Sequence, residues 1–385
     1  MKLLSKEEKK VEYLELIYDL IFVYIVGRNN LLLHDVENGF VTGGAFMAYV
    51  LCTLAIIQIW NFSTFYMNLY GRNGARDHVC LFINMYLLYH MANGINADWQ
   101  SSFYQFNTAW ALILVNLGVQ YLIELRNHKN APWELKQIRR KAEIILAEAA
   151  LVGVHMLVYS FTGVSVAYIP ILFGIIATAL SSKTNMLVPV DFAHLSERAM
   201  LFVVFTFGEM IIVIASYFGG DFNFNSFYFS LMGFLIVVGL LLSYGTVYNR
   251  IIDKEKTTSG TLYMVIHIFM IFALNNISVA LEFMREEEVA VLPKTLFLSA
   301  SFVLYFIFLF LTGLFSKKRC AFNRKFVLMI ALIGLSFVAL MLIFRELMYV
   351  NIAITVVYVF GIFLLLFFRG KKSLSTEEET INEIG

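Results

Sequence analysis

Charge is scarce in this chain: 15% of its 385 residues are charged against 59% hydrophobic, with 4 Pro beside 37 Phe and a mean hydropathy of +0.73. Soluble domains carry about 25% charged and about 45–50% apolar residues, so an ordinary soluble protein is excluded. Cations hardly exceed acids, 29 to 28, which removes a global basic signal for nucleic acid and shifts attention to where the charges lie. Cysteine is nearly absent. Cys52, Cys80 and Cys320 are odd in number and form no CxxC or Cys/His pattern, arguing against a disulfide framework or a structural zinc site. The opening MKLLSKEEKK runs straight into an apolar segment that contains acids and no small-residue cleavage site, so no cleaved signal peptide is expected. Also missing are a GxxxxGK[ST] phosphate loop, a GxSxG elbow, a TVGYG filter, an HExxH pair and a lysine deep in a span for a Schiff base. No cofactor and no metal centre are expected.

What the chain has is long apolar runs, near 12–33, 42–66, 78–97, 103–125, 143–160, 164–181, 198–218, 226–248, 261–283, 294–315, 325–345 and 349–369. A helical span needs roughly 20 residues, so twelve spans consume about 240 and leave short loops. None of the runs alternates with period two, which excludes a barrel. The fifth and sixth are the shortest and are joined by the Phe161-Thr162-Gly163 turn. The expected fold is therefore all-α and integral to the membrane.

Orientation follows from the cations. With the N-terminus inside, 25 of the 29 Lys and Arg fall on the cytoplasmic side, six of them between Arg126 and Lys141 and five between Lys317 and Lys325. Arg28, Arg285, Lys294 and Arg345 are the exceptions. The positive-inside rule then predicts both termini in the cytoplasm, with Arg285-Glu286-Glu287-Glu288 outside and STEEETINEIG as a polar tail without a packed core.

The two halves look alike. A shift of 182 sets Glu15 on Glu197, Thr64 on Thr246, Tyr66 on Tyr248 and Asn93 on Asn275. A shift of 181 sets Leu20–Arg28 on Leu201–Glu209, matching Gly27 to Gly208 and Arg28 to Glu209. Six spans per half is an even number, so such repeats are parallel, related by an axis along the membrane normal. The expected organisation is 1–185 and 186–370 as six-helix halves, with 371–385 as the tail.

Charges within apolar helices cost several kcal/mol unless paired or hydrated, which makes them the informative residues. Glu12, Glu15 and Asp19 fall within about 60° of arc on one helical face, and Asn30 returns to it. Glu12 and Glu15 read as a solvated helix start with acids at the positive dipole end, and Asp19 as a deeper, functional group. Glu209 lies mid-span; ionised, it can bind a cation or hold Arg28 across the two halves, and protonated it can carry a proton. Arg198 shares its face but is about 16 Å away along the axis. Its expected partners are Glu197, Asp191 or lipid phosphate.

His90 with Asn84, Asn93 and Asn96 marks the third span, and His267 with Asn275, Asn276 and Glu282 the ninth; Glu148 and His155 lie seven apart on the fifth. Interhelical hydrogen bonding accounts for many of these without function. Trp60, Trp99 and Trp133 suit the interfacial belt, and the pairs Gly43-Gly44 and Gly219-Gly220 read as turns.

Two of these segments resemble a known family. ELIYDLIFVYIVGR, Glu15 to Arg28, is similar to the E-L-x-[FY]-D-L-[IV]-F-V signature of the bacterial low temperature requirement A proteins. HLSERAMLFVVFTFGEMIIVIA, His194 to Ala215, resembles their H-x-x-E-R-x-x-x-[FV]-[IV]-x-x-x-G-E pattern. By motif position the family's marked residues fall on Glu15, Asp19, His194, Glu197, Arg198, Gly208 and Glu209. Arg28 departs from the pattern, which has an uncharged polar residue there. The resemblance implies an integral protein of the bacterial plasma membrane associated with growth in the cold.

The function expected from these readings is secondary, proton- or cation-linked transport. Glu209 and Asp19 are the expected protonation or cation sites, and Arg28 and Arg198 their charge partners or anion contacts. Glu15, His194, Glu197, His90, Asn93, His267 and Asn275 complete the candidate pathway. A membrane-embedded lipid-modifying or lipid-handling enzyme and a non-catalytic membrane factor are the alternatives. Expected partners are membrane lipids and a small solute or ion, with no nucleic acid; a homo-oligomer is compatible with the sequence.

Overall fold

The computed structural model describes residues 9–95, 99–129, 131–215 and 223–384. Lys2, Lys6, Asn96, the Trp99 side chain and Gly219-Gly220 lie outside the described residues. Among the described residues the fold is all-α apart from a short hairpin, Val36–Glu37 with Phe40–Val41, and one bridge between Ile252 and Ser316. That hairpin turns at Asn38 (φ 51°) and Gly39 (φ 83°), the left-handed pair that an Asn-Gly turn supplies.

In chain order the helices are α1 (Tyr13–Asn29), α2 (Gly43–Leu69), α3 (Ala75–Asn93), α4 (Trp99–Asn127), α5 (Pro132–Thr162), α6 (Tyr168–Leu180) and α7 (Ser182–Asn185). They continue as α8 (Phe192–Ala215), α9 (Phe224–Thr246), α10 (Thr261–Phe283), α11 (Val291–Leu311), α12 (Arg324–Ile343) and α13 (Met348–Ile384). Their ends carry the expected chemistry. Thr42, Asn223 and Asn323 accept from the backbone at the starts of α2, α9 and α12. Pro132 opens α5, and Gly163 (φ 68°) closes it in the left-handed conformation.

Among the described residues, ten helices are long and apolar enough to cross a membrane. The remaining two of the twelve expected runs are helical too, as α3 and α6, but fall short on composition or length. The 13 residues of α6 extend about 20 Å against a hydrocarbon thickness of about 30 Å. In α3, Arg76, Asp77, His78, Asn84, His90 and Asn93 dilute the apolar content. The backbone of α13 runs on to Ile384, so the polar tail continues this helix.

The chain divides into two compact units: Met1–Asp35, Val41–Phe202 and Glu255–Val265 form the first, and Val36–Phe40, Val203–Lys254 and Ile266–Gly385 the second. In the first, α2 is the central element, buried almost continuously from Ala55 to Asn68. Close approach of α6 requires a glycine: a β-carbon on Gly174 would overlap the side chains of Gln58 and Glu148. In the second unit, α9 packs against α11 and α13, with the Tyr305 hydroxyl donating to the Leu240 carbonyl at 3.0 Å and Gly239 against Val359.

Candidate functional site

The strongest polar concentration in the first unit lies where α1 meets the start of α8. Glu15 and Asp19 are one helical turn apart on α1, and His194 and Arg198 one turn apart on α8, so each pair shares a face. All four side chains are fully buried. Arg198 grips Asp19 side-on, Nη2 to Oδ1 at 2.5 Å and Nε to Oδ2 at 3.3 Å, and its Nη1 is 3.2 Å from Glu15 Oε2. The indole N–H of Trp60 donates to Asp19 Oδ1 at 2.8 Å, while His194 Nε2 stands 3.5 Å from Glu15 Oε2.

Asn68 sets the histidine tautomer. Its Oδ1 accepts from the Asp191 N–H (3.1 Å), so its Nδ2 is the donor, to the Asp191 carbonyl (2.8 Å) and to His194 Nδ1 (3.0 Å). With Nδ1 accepting, the ring proton sits on Nε2 and points at Glu15. Asp191 caps α8 by accepting from the His194 N–H at 3.2 Å. One amide thus holds both the helix start and the imidazole.

Lys9 completes the surroundings, its ammonium donating to the carbonyls of Met67 and, at 2.8 Å, Gly71 beyond the end of α2. Burial lowers it below the usual lysine value, and Glu15 is the foremost pull in the other direction. Two carboxylates face a single guanidinium in direct contact, and the Lys9 ammonium is the second positive charge in their surroundings. Asp19 has both oxygens engaged by Arg198 and one also by Trp60, whereas Glu15 meets Arg198 through Oε2 alone.

Three expectations are corrected. Arg198 is paired with Asp19 and Glu15, not with Glu197, Asp191 or lipid phosphate, because packing of α1 on α8 offers carboxylates at matching axial positions. Glu15 is enclosed, not solvated, for the same reason. Trp60 is wholly buried and hydrogen-bonded to Asp19, not interfacial; Trp133 is exposed. Of the other candidates, Glu197 is half-buried beside the cluster, Arg28 is half-buried in the first unit, and Glu209 is half-buried in the second. Asn93 is exposed, so it is not an interior group, and half-buried His90 packs edge-on to Tyr86 and Tyr89. In the second unit His267 meets the Tyr244 hydroxyl at 3.2 Å, and Asn275 bonds back to the Ile271 carbonyl of its own helix.

A second polar knot joins the ends of α2, α3 and α4. Arg76 Nη2 lies 2.9 Å from Asp77 Oδ1, 2.6 Å from Glu124 Oε1 and 3.0 Å from the Tyr66 hydroxyl, and Asp77 Oδ2 accepts from the Arg72 N–H at 2.8 Å. It reads as a structural tie at the helix ends, where His128 Nδ1, 3.4 Å from Glu124 Oε2, adds a basic group beside the guanidinium. Sequence reasoning missed Trp60, Asn68 and Glu124, because polar side chains on apolar helices show no partner until the helices are packed.

Across known proteins, the family model for the bacterial low temperature requirement A protein (LtrA) matches residues 10–361. The chain belongs to the LtrA family. The match includes the α1 and α8 segments that supply Glu15, Asp19, His194 and Arg198, so the family signatures and the buried cluster coincide. No curated protein matches the chain.

Proposed function

We propose that this LtrA-family protein is a secondary transporter of the bacterial plasma membrane, linked to protons or cations, in which Glu15, Asp19, His194 and Arg198 form the charge-handling centre. The observation that carries this reading is the buried cluster itself. Two carboxylates share one guanidinium in the interior of apolar helices, where unbalanced charge is expensive and is kept for function.

The geometry suggests how protonation couples to movement. In the tautomer that Asn68 selects the ring proton is on Nε2, so a further proton has Nδ1 as its site, which accepts from Asn68. Protonating His194 therefore expels the Asn68 amide, and that amide also clamps the start of α8. Imidazolium then stands beside Glu15, while α8 is released to shift. Glu209, in the second unit, has no ion pair among the described residues and is a further candidate carboxyl.

The proposed topology has twelve spans, both termini cytoplasmic, and two six-helix halves in parallel pseudo-repeat. It requires α3 and α6 to cross with their shorter or more polar sequences. Without α3, the six cations between Arg126 and Lys141 would change sides, against the positive-inside rule.

The test is charge movement in proteoliposomes on solid-supported membranes after a pH step, alone and with a panel of solutes. Wild type should give a current that Glu15→Gln and His194→Gln each reduce at least tenfold, an effect on the order of 1.4 kcal/mol or more. Folded wild type that gives no current with any solute would overturn the reading. Turnover of labelled lipid in detergent, with no gradient present, would then favour a lipid-handling enzyme.

A further inference from the structure

The second unit contains an apolar groove of about 740 Å³ between α11 and α12, closed at its base by α13, with Phe306, Phe310, Phe322, Phe326, Gly334 and Tyr358 among its lining. Its outer wall, α12, is the least enclosed of the apolar spans, with 11% of its apolar window buried. The groove follows α12 from Phe326 to Val338, about 18 Å at the helical rise, which is close to the depth of one leaflet's hydrocarbon, about 15 Å.

One end of the groove is strongly basic. Phe322 and Phe326 at that end are interleaved with Lys318, Arg324 and Lys325, all exposed and without an ion pair among the described residues. Arg324 and Lys325 occupy the first turn of α12, where the helix dipole favours acids, so these cations repel one another and the dipole unless an anion sits among them. Arg369 of α13 lies over the Phe326 ring at 4.5 Å and the Phe322 ring at 5.5 Å and donates through Nη2 to the Ala321 carbonyl at 2.5 Å. Its Nε is buried without a partner.

We infer that this groove is a binding site for an anionic phospholipid, with one acyl chain along α12 and the phosphate among Lys318, Arg324, Lys325 and Arg369. The occupant must carry a long apolar tail to fill a slot of one leaflet's depth, and an anionic head to neutralise cations that make no ion pair among the described residues. A zwitterionic lipid meets the first demand but not the second. The inference uses only the second unit and stands or falls independently of the transport reading.

The experiment is native mass spectrometry of the full chain in detergent, supplied with equal amounts of phosphatidylglycerol and phosphatidylcholine bearing the same acyl chains. Wild type should retain phosphatidylglycerol about tenfold over phosphatidylcholine. Lys325→Gln combined with Arg369→Gln should bring the ratio close to one. Ala331→Phe, which fills the groove and leaves every cation in place, should lower retention of both lipids. Unchanged melting of the variants by circular dichroism establishes that they are folded; Gly334→Leu fills the same groove if Ala331→Phe is not. Equal retention of the two lipids by wild type, or wild-type phosphatidylglycerol binding by a folded, groove-filled variant, overturns the site.

Discussion

Arg198 is enclosed by the carboxylates it serves, and its removal isolates two buried acids at once. Arg198→Ala should therefore lower stability by about 3–5 kcal/mol, read as thermal unfolding in detergent. Arg198→Lys should recover only part of this, since an ammonium cannot make the two-pronged contact with Asp19. Arg198→Leu with Asp19→Leu should melt above Arg198→Leu alone, because the deeper of the stranded charges is gone. At this scale the sequence was partly legible. The spacing of Glu15 and Asp19 put both acids on one face, and the charged pattern at His194 and Arg198 stood out within an apolar run. Their mutual contact could not be read, because charge pairing depends on the rotation and axial offset of two helices about 180 residues apart in the chain.

Among the elements, the helix pattern came through well, since each of the twelve apolar runs contains a helix among its described residues. The exceptions arise from packing. Asn68 reads in sequence as one more polar residue near the end of α2, yet it holds the start of α8 through three hydrogen bonds. Asn68→Ala should cost about 1–3 kcal/mol, because the Asp191 N–H is then left without its acceptor. The same change removes the donor to His194 Nδ1, so the pH-step current should fall as it does in His194→Gln. Gly174 offers a purely steric test on α6. Gly174→Ala places a methyl group against Gln58 and Glu148 and should destabilise by about 1–3 kcal/mol in the same melting assay.

For the whole molecule, sidedness separates the twelve-span topology from one in which α3 stays on the cytoplasmic face. In a cysteine-free background, Lys129→Cys should be labelled only from the cytoplasm and Glu287→Cys only from outside, measured with a membrane-impermeant maleimide on intact and opened cells. Labelling of Lys129→Cys from outside would remove α3 from the spans. The sequence alone determined the class of the molecule: scarce charge, abundant apolar runs of spanning length and cations gathered at alternate ends leave little but helices in a bilayer, since lipid demands that each span satisfy its own backbone. It also determined which residues were costly to bury. Only the tertiary structure decided how that cost is met. Whether Arg198 finds lipid phosphate or Asp19, whether Trp60 sits at the interface or donates to a carboxylate, and whether Asn68 is glue or a clamp all depend on which helix faces meet. Apolar helices can pack in many rotations of similar hydrophobic gain, and the few polar contacts select among them.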